Sequence, residues 1–337
     1  MRRTLIVAVT LAGLALLVYQ SGLLAEAGLF ANGLLPPVPI PVDNPQTDAK
    51  LRLGKQLYFD KRLSSDGTVA CVTCHRPDAG WADTEATSTG VGHKRGGRNS
   101  PSVLNGGYFV PQFWDGRALH LEKQAVGPVQ NPVEMDQTPE QVAHTLGGIP
   151  GYVTQFQEVF GEAPSLELVA KAIASFERTI VSTNSAYDKY LQGDDEALSP
   201  AARRGMDLFN GKGHCTPCHS GPLFSDQQFH NLGIGYQDGK FADVGRFAVS
   251  NRLPDTGAFR TPSLRSVALT APYLHDGSAA TLLEVIELYD RGSIQNPYLD
   301  PLMEPLNLTR REKLDLVAFL QSLTGEPIKG DPPVLPE

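Results

Sequence analysis

Apolar residues recur at steps of three and four along several segments of the chain, and strict alternation of apolar and polar residues is rare. Segments 165–181 and 308–325 show these steps most clearly. This period places the apolar side chains on one face of an α-helix. In the second segment Asn307 or Thr309 can cap the start of the helix, and Gly325 can end it. The pattern therefore predicts a mainly α-helical protein.

Two further helices are predicted next to residues of chemical interest. Segment 201–211 is predicted to be helical and to lead into Cys215. Another helix is predicted to start at Thr281, because Glu284 can complete a capping box with it. By contrast, segment 221–259 contains scattered glycines and aspartates and has no steady period. It is predicted to be a long loop, and loops of that length in compact domains are usually functional.

The N-terminal segment has the character of a secretory signal. Arg2 and Arg3 precede an apolar run over residues 4–18, and small alanines follow that run. Residues 1–27 are therefore predicted to be a signal peptide. The apolar stretch 4–24 is nearly long enough to span a bilayer, so an uncleaved membrane tether is the alternative. Both interpretations place the folded part of the chain in the periplasm.

The balance of charges narrows the class of partner. The chain has 29 Lys and Arg residues against 37 Asp and Glu residues, which gives a net charge of −8 at pH 7. Proteins that bind nucleic acids neutralise phosphates with clustered basic residues. A net negative chain is therefore expected to act on small molecules or proteins and not on nucleic acid.

The four cysteines of the chain form two pairs, and each pair has the spacing Cys-x-x-Cys with a histidine directly after it. The six residues are Cys71, Cys74, His75, Cys215, Cys218 and His219. Four thiols could hold one zinc ion, but that site would leave the histidine after each pair unexplained. Covalent attachment of c-type haem explains all six residues, because the thiols form thioethers and the histidine binds the iron. The sequence therefore predicts two c-type haems.

An internal repeat supports two related halves. Segment 100–121 aligns with segment 261–282 at a constant offset of 161 residues. The identical pairs include Pro101 with Pro262, Pro111 with Pro272, Asp115 with Asp276, Gly116 with Gly277 and Leu121 with Leu282. The two haem motifs are separated by a similar distance, 144 residues. Each half therefore consists of a haem motif followed by a Pro/Asp-Gly loop, which is predicted to close over the haem.

These observations predict three regions after the signal. Residues 28–45 are rich in proline, which removes amide donors and restricts the preceding residue, so they are predicted to be an extended lead-in. Residues 46–164 are predicted to form the N-terminal haem domain. Residues 165–337 are predicted to form the C-terminal haem domain.

Several short motifs occur in a fixed order along the chain. They are CVTCH (71–75), RNSP (98–101), FWDGRA (113–118), GP (127–128), NPVEM (131–135), CTPCH (215–219) and TAPYLHDG (270–277). Together they resemble the bacterial di-haem cytochrome c peroxidase family, which includes the MauG-like enzymes, and the resemblance runs from about Leu53 to Gly325. The resemblance implies a mainly α fold with two tandem cytochrome c-like haem domains and long loops. It also implies that the His75 haem reacts with hydrogen peroxide and that the His219 haem relays oxidising equivalents.

The resemblance assigns roles to four further residues. Glu134 matches the acid-base carboxylate over the peroxide-reacting iron, a role that proton transfer within peroxide requires. Trp114 matches the tryptophan between the haems, and Gln124 and Pro128 match residues of the distal pocket. The ordinary alternatives are a solvated loop glutamate, a core tryptophan, a surface amide and a loop-shaping proline.

A structural calcium ion is a further feature that the resemblance implies. Asn99 matches its side-chain ligand, and Thr270 and Pro272 match its backbone-carbonyl ligands. Ligation by oxygen alone suits Ca²⁺.

The sixth ligand of the second haem separates the two branches of the family. Ordinary peroxidases have a methionine on the helix after the HDG loop, and Tyr289 occupies that position here, as in the MauG-like enzymes. The alternative is that Tyr289 is a core residue and that Met303 binds the iron. His93 lies in the loop that carries a distal histidine in ordinary peroxidases, although this loop is shorter, so a surface histidine is equally compatible.

These features favour a periplasmic peroxidase that spreads two oxidising equivalents over both haems and oxidises a residue, such as a tryptophan, of a partner protein. One alternative is an ordinary cytochrome c peroxidase that receives electrons from a small cytochrome c or a cupredoxin. Another is a non-catalytic di-haem electron-transfer protein, which would not need the acid-base carboxylate of Glu134.

Haem content tests the interpretation of the cysteines. Replacing Cys71 and Cys74 together with alanine is expected to leave one covalent haem per chain, because no other thiol can replace the lost thioethers. The same change at Cys215 and Cys218 is expected to leave the other haem. Pyridine haemochrome assays and intact-protein mass spectrometry measure the number of haems. A purified protein that contains zinc and no haem would contradict both predictions.

Overall fold

The computed structural model describes residues 33–337 and is mainly helical. The predicted signal peptide or tether, and the start of the lead-in, lie outside these residues. Within them, none of the helices combines the length and apolarity that a membrane span requires.

The described chain has eleven α-helices and four short strands. The helices are α1 Asp48–Phe59, α2 Cys71–Cys74, α3 Leu121–Gln130, α4 Pro139–Gly147, α5 Pro150–Phe160, α6 Leu166–Glu177, α7 Ala186–Leu191, α8 Pro200–Asn210, α9 Phe247–Ser250, α10 Leu282–Asp290 and α11 Arg310–Ser322. The strands are β1 Phe229–Asn231, β2 Tyr236–Gln237, β3 Lys240–Phe241 and β4 Ala258–Arg260, and they pair β1 with β4 and β2 with β3, both antiparallel. The segment that we predicted to be a loop, 221–259, therefore contains α9 and strands as well, because its short strands pair with each other across the segment.

The capping signals of the sequence are confirmed. Thr281 caps α10 and forms a capping box with Glu284. Thr309 caps α11 in the same way with Glu312, and this helix ends before Gly325. These side chains accept hydrogen bonds from backbone amides that have no partner within the helix.

Residues 33–337 contain two hydrophobic cores, and their division differs from the predicted boundary at 164/165. Nearly every residue of α6 is buried. Leu166, Val169 and Ile173 of this helix pack in the same core as Leu57 of α1. The helix therefore belongs to the first core, because its wide apolar face is covered by α1. The second core begins after Ile180 and is built around Phe209 and Phe319.

The same helix crossing occurs in both cores. In the first core α1 crosses α6 at Gly54, whose missing side chain lets the helix approach the carbonyl of Ala172. In the second core α8 crosses α11 at Gly205, which approaches the carbonyl of Asp315 in the same manner. Any larger residue at either glycine would force the helices apart.

The loops of the internal repeat also share one geometry. Phe113 and Leu274 occupy matched positions and have φ values of 67° and 72°. An isolated bridge joins Gln112 to Ala118, and its counterpart joins Tyr273 to Ala279. The sequence repeat is therefore a repeat of backbone conformation.

Both ends of the described chain cross to the other core. The carbonyl of Gly33 accepts a hydrogen bond from Arg265 of the second half at 3.4 Å, and that of Pro36 accepts one from Tyr108 at 2.6 Å. At the other end, the carbonyl of Pro336 accepts from Arg62 of the first half at 3.1 Å. The two halves are thus tied together by the lead-in and by the C-terminal segment.

The glycine crossing predicts a specific loss of stability. Gly205→Ala places a methyl group against the Asp315 carbonyl and is expected to lower the free energy of unfolding by about 1–3 kcal/mol, as overpacking does. Gly147→Ala is the matched control, because a Cβ at Gly147 meets no atom within 4 Å. Thermal unfolding of the haem-loaded proteins measures both effects. Equal melting temperatures for Gly205→Ala and the unmodified protein would show that close approach is not required.

Candidate functional site

The first attachment site is the single turn α2 with His75 at its C-terminal end. The cysteines form no disulfide, and burial raises the pKa of the Cys74 thiol to about 11. His75 is also buried, which lowers its pKa and keeps the imidazole neutral. Its Nδ1 atom has no hydrogen-bond partner within the described part of the chain. Neutral thiols beside an unprotonated imidazole fit covalent attachment of a haem.

The second attachment site follows α8. His219 Nδ1 donates a hydrogen bond to the carbonyl of Phe224 at 2.8 Å. Because a carbonyl can only accept, this bond fixes the tautomer and leaves the Nε2 lone pair free for a metal. Burial lowers the pKa of His219 and raises that of Cys215 to about 12. The donor set again fits a c-type haem.

A cavity of about 240 Å³ adjoins the second site. Its lining is mostly apolar, as a porphyrin requires, and includes Cys215, Cys218, His219, Leu264, Ile286 and Leu320. Tyr289 and Met303 line the same cavity. The structure therefore brings together both candidate sixth ligands with the proximal histidine.

The two candidate sixth ligands differ in their surroundings. Tyr289 lies on α10, and its hydroxyl makes no hydrogen bond to another described residue. Burial raises the pKa of this tyrosine, and the nearby Cys218 and Cys215 thiols add to the shift. Met303 lies in a loop whose backbone is held by a hydrogen bond from its amide to the carbonyl of Asp300 at 3.0 Å. A phenolate at Tyr289 therefore needs a cation, such as a ferric iron, to compensate its charge.

Glu134 lies close to the first attachment site. Its charge contributes, after burial, to the raised pKa of the Cys71 and Cys74 thiols. Asn131 Nδ2 donates to Glu134 Oε1 at 2.6 Å. Burial raises the pKa of Glu134, while this hydrogen bond and the charge of Arg117 oppose the shift. The pKa of the Glu134 carboxyl therefore lies above its ordinary value, as an acid-base group requires.

Gln124 and Pro128 lie on α3, directly before the Glu134 loop. The carbonyl of Pro128 accepts a hydrogen bond from the Met135 amide at 3.2 Å. Both side chains are half-buried. The structure therefore places the helix next to Glu134, and the roles of the two residues in a distal pocket stay predictions.

Trp114 lies where the two halves meet. Its Nε1 donates to the carbonyl of Asn99 at 2.9 Å, and its ring lines the second cavity. The ring also contacts His275 edge-on, with 6.5 Å between ring centroids. His275, its counterpart in the repeat, is stacked on Phe259 at 3.5 Å. This arrangement is compatible with a bridge between the haems.

The three predicted calcium ligands are brought together. Asn99, Thr270 and Pro272 all line the same cavity. Asn99 is buried, and its Nδ2 donates to the carbonyl of Glu85 at 3.1 Å, which leaves Oδ1 available for a hard cation. The oxygen donors fit calcium, and calcium binding itself stays a prediction.

His93 lies in a short helical turn at the surface. The amide of Val91 in this turn donates to the carbonyl of Glu134 at 2.9 Å, so the turn adjoins the acid-base residue. The His93 side chain is exposed. Binding of His93 to iron is therefore a prediction that this conformation does not test.

Some residues that support the site were not predicted from the sequence. Asn131, which holds Glu134, could have been found, because Asn before proline favours a turn stabilised by its side chain. The Phe224 carbonyl that orients His219 gives no sequence signal, since any residue has a carbonyl. Asp243, which binds Arg98 at 2.6 and 2.9 Å, also gives none, because the pair forms across 145 residues.

Two haem-attachment motifs in a helical chain define a c-type haem protein with two haem sites. The family model described as di-haem cytochrome c peroxidase matches residues 48–196. The chain is 40% identical over 333 residues to cytochrome-c peroxidase IdrP1 of Pseudomonas sp. strain SCT, which covers 90% of this chain and 88% of that protein. It is also 40% identical over 301 residues to methylamine utilization protein MauG of Methylorubrum extorquens, and the match covers 89% of this chain and 85% of that protein.

A solved structure is similar as well. It is that of a MauG-like protein associated with microbial copper homeostasis, with a TM-score of 0.81, 35% identity, and 87% of this chain and 94% of that chain covered. The chain therefore belongs to the di-haem cytochrome c peroxidase family. It is an oxidoreductase, and the family implies that it carries two haems.

The contact between Asn131 and Glu134 predicts a pH effect. As a base, Glu134 must be ionised, so the rate of the peroxide reaction is expected to rise with pH through its raised pKa. Asn131→Leu removes a hydrogen bond that favours the carboxylate, so it is expected to move this rise to higher pH. Stopped-flow measurements of the peroxide reaction across pH give both profiles.

Glu134→Gln is the reference for this experiment. It is expected to remove the pH-dependent rise and to slow the reaction by about 10²- to 10⁴-fold. Identical profiles for Asn131→Leu and the unmodified protein would show that Asn131 does not tune Glu134.

Proposed function

We propose that this protein is a periplasmic peroxidase of the MauG-like type, which uses hydrogen peroxide to oxidise a residue of a partner protein. The observation that carries the proposal is Tyr289, whose hydroxyl lies without a hydrogen-bond partner among the described residues in the cavity of His219. A tyrosinate ligand favours higher iron oxidation states, whereas methionine raises the potential. The similarity to MauG at 40% identity supports the same assignment.

The second candidate is an ordinary cytochrome c peroxidase that takes electrons from a small cytochrome c or a cupredoxin. Met303 favours it, because this residue lines the same cavity as Tyr289. The equal identity to cytochrome-c peroxidase IdrP1 is compatible with this candidate too.

Several residues of the chain have separate roles at the first site. A haem held by Cys71, Cys74 and His75 would supply the iron that donates electrons to the peroxide O–O bond. Glu134 accepts a proton from one peroxide oxygen and returns it to the other. Asn131 holds the carboxylate in place through its 2.6 Å hydrogen bond. Gln124 and Pro128 shape the space beside it.

Trp114 carries electrons between the two sites in this proposal. Its indole is held at one end by the Asn99 carbonyl, and its ring faces the second cavity. A calcium ion bound by Asn99, Thr270 and Pro272 would fix the same junction, because Asn99 contacts both the ion and Trp114. Haems held at His75 and His219 would then supply oxidising equivalents to the partner protein together.

The organisation of the chain follows from the same proposal. Two tandem cytochrome c-like domains, divided after Ile180, each hold one haem. Residues 1–27 direct the chain to the periplasm as a cleaved signal, or residues 4–24 tether it to the membrane. The net charge of −8 supports a protein partner or a small molecule and not nucleic acid.

Tyr289→Phe and Met303→Leu separate the two candidates. If Tyr289 binds the iron, its replacement is expected to change the ferric spectrum and raise the potential of the second haem, whereas Met303→Leu changes neither. The unmodified protein is then expected to react with peroxide in the fully oxidised state. Optical and electron paramagnetic resonance spectra, with redox titration, measure these properties.

The opposite pattern supports the ordinary peroxidase. In that case Met303→Leu makes the second haem high-spin, Tyr289→Phe leaves it unchanged, and one-electron reduction is required before peroxide reacts. His93→Ala would then remove that requirement, because His93 would be the ligand that departs on reduction.

A further inference from the structure

A buried carboxyl group lies in the first core without a partner. Glu177, the last residue of α6, is 5% exposed. Its Oε2 atom has no hydrogen-bond partner within residues 33–337. The neighbouring Arg178 is not its partner, because that guanidinium is paired with Glu122 at 2.7 and 3.0 Å. Buried ionised carboxylates are normally paired or hydrogen-bonded, so a buried carboxylate oxygen without a partner needs an explanation.

The residue before Glu177 packs against aromatic side chains that adjoin the first haem-attachment motif. The preceding residue, Phe176, packs against Tyr58 at 5.3 Å and Trp81 at 6.1 Å between ring centroids. The hydroxyl of Tyr58 lies 3.5 Å from the carbonyl of His75. After burial, the charge of Glu177 is the next largest cause of the raised pKa of the Cys71 thiol. The carboxyl is therefore within electrostatic reach of the residues that hold the first haem.

Few charges surround this carboxyl. The charge of Glu177 raises the pKa of Tyr58 on α1 and of Cys71 on α2, and neither of these groups is charged once the thioether has formed. Glu122 acts on it from α3, and Arg178 adjoins it on the chain. Burial raises the pKa of Glu177 to about 8, with Arg178 opposing the shift and Glu122 adding to it. This raised pKa brings the protonation of Glu177 close to neutral pH.

We propose that Glu177 is the proton-binding group that is coupled to the oxidation state of the first haem. When the haem takes up one electron, Glu177 takes up one proton, and when the haem is oxidised the proton leaves. The coupling arises because a ferric haem carries one more positive charge than a ferrous haem and so favours the carboxylate. The inference rests on a haem at His75 and is independent of the identity of the partner protein and of the sixth ligand at the second haem.

The coupling has a definite sign. Below both pKa values the carboxyl stays protonated, and the potential of the first haem does not respond to this group. Between the pKa with ferric haem and the higher pKa with ferrous haem, the potential falls as pH rises. The slope approaches about 59 mV per pH unit, which is the one-electron equivalent of a tenfold change in proton concentration.

Spectroelectrochemical titration of the haem-loaded protein across pH 6 to pH 9 tests the proposal. In Glu177→Gln the part of the pH dependence that falls between the two pKa values of Glu177 is expected to disappear, while any contribution of Glu134 stays. At high pH the potential of the first haem is expected to exceed that of the unmodified protein. Glu167→Gln is the matched control, because Glu167 lies on the same helix with an exposed side chain. The control is expected to keep the slope, and the second haem is an internal reference that should not change in either variant.

Infrared redox-difference spectroscopy of the unmodified protein gives a second test that needs no variant. A carbonyl stretch of a protonated carboxylic acid is expected to change when the first haem is reduced, and Glu177→Gln should remove that band. An unchanged pH slope in Glu177→Gln, or no carboxylic acid band in the unmodified protein, would overturn the proposal. Neither result would alter the Tyr289 and Met303 experiment, so the two proposals fail separately.

Discussion

The ion pairs of Arg98 hold the two halves together beside Trp114. Arg98 donates to Asp115 at 2.6 Å in the Trp114 loop and to Asp243 at 2.6 and 2.9 Å in the long segment of the second half. Trp114 in turn donates to Asn99, the neighbour of Arg98. Asp115 is the most buried member of this network, at 7% exposure, whereas Arg98 and Asp243 are 21% and 22% exposed, so solvent screens part of their interaction. The loop that carries Trp114 is also tied to the second half by Arg246, which donates to the carbonyl of Asp115 at 3.0 Å, and by the amide of Arg260, which donates to the carbonyl of Trp114 at 2.8 Å.

The internal repeat explains how one fold can give two different haem sites. Helices α3 and α10 start at matched positions, Leu121 and Leu282, so Pro128 of the first half corresponds to Tyr289 of the second. A proline side chain has no atom that binds iron, whereas a tyrosine has one. If each helix faces its own haem in the same way, the first iron keeps an open position for peroxide and the second iron is closed. A single substitution within a repeated backbone would then separate the reacting site from the relay site.

Features that depend only on residues close together in the chain could be predicted from the sequence. The haem motifs and the caps at Thr281 and Thr309 are local patterns, and the caps are confirmed. The repeat, which is a comparison within the chain, extends to matched backbone conformations. The assignment of α6 to the first core could not be predicted, because a helix with a wide apolar face fits either core and only the α1 crossing at Gly54 decides. The choice between Tyr289 and Met303 is also not decided by spacing, since both residues reach the same cavity from different elements.

The two unusual carboxyl groups of the first half have different environments and so suit different roles. Glu134 is half-buried and hydrogen-bonded to Asn131, which keeps its proton exchangeable and its position fixed. Glu177 is buried and its Oε2 has no such bond within the described residues, so burial sets its raised pKa and nearby charges modify it. Proteins separate acid-base functions in this way, by giving like residues unlike surroundings. A peroxidase must move protons within its substrate and also compensate the charge that oxidation leaves on the haem, and each of these tasks matches one of the two residues.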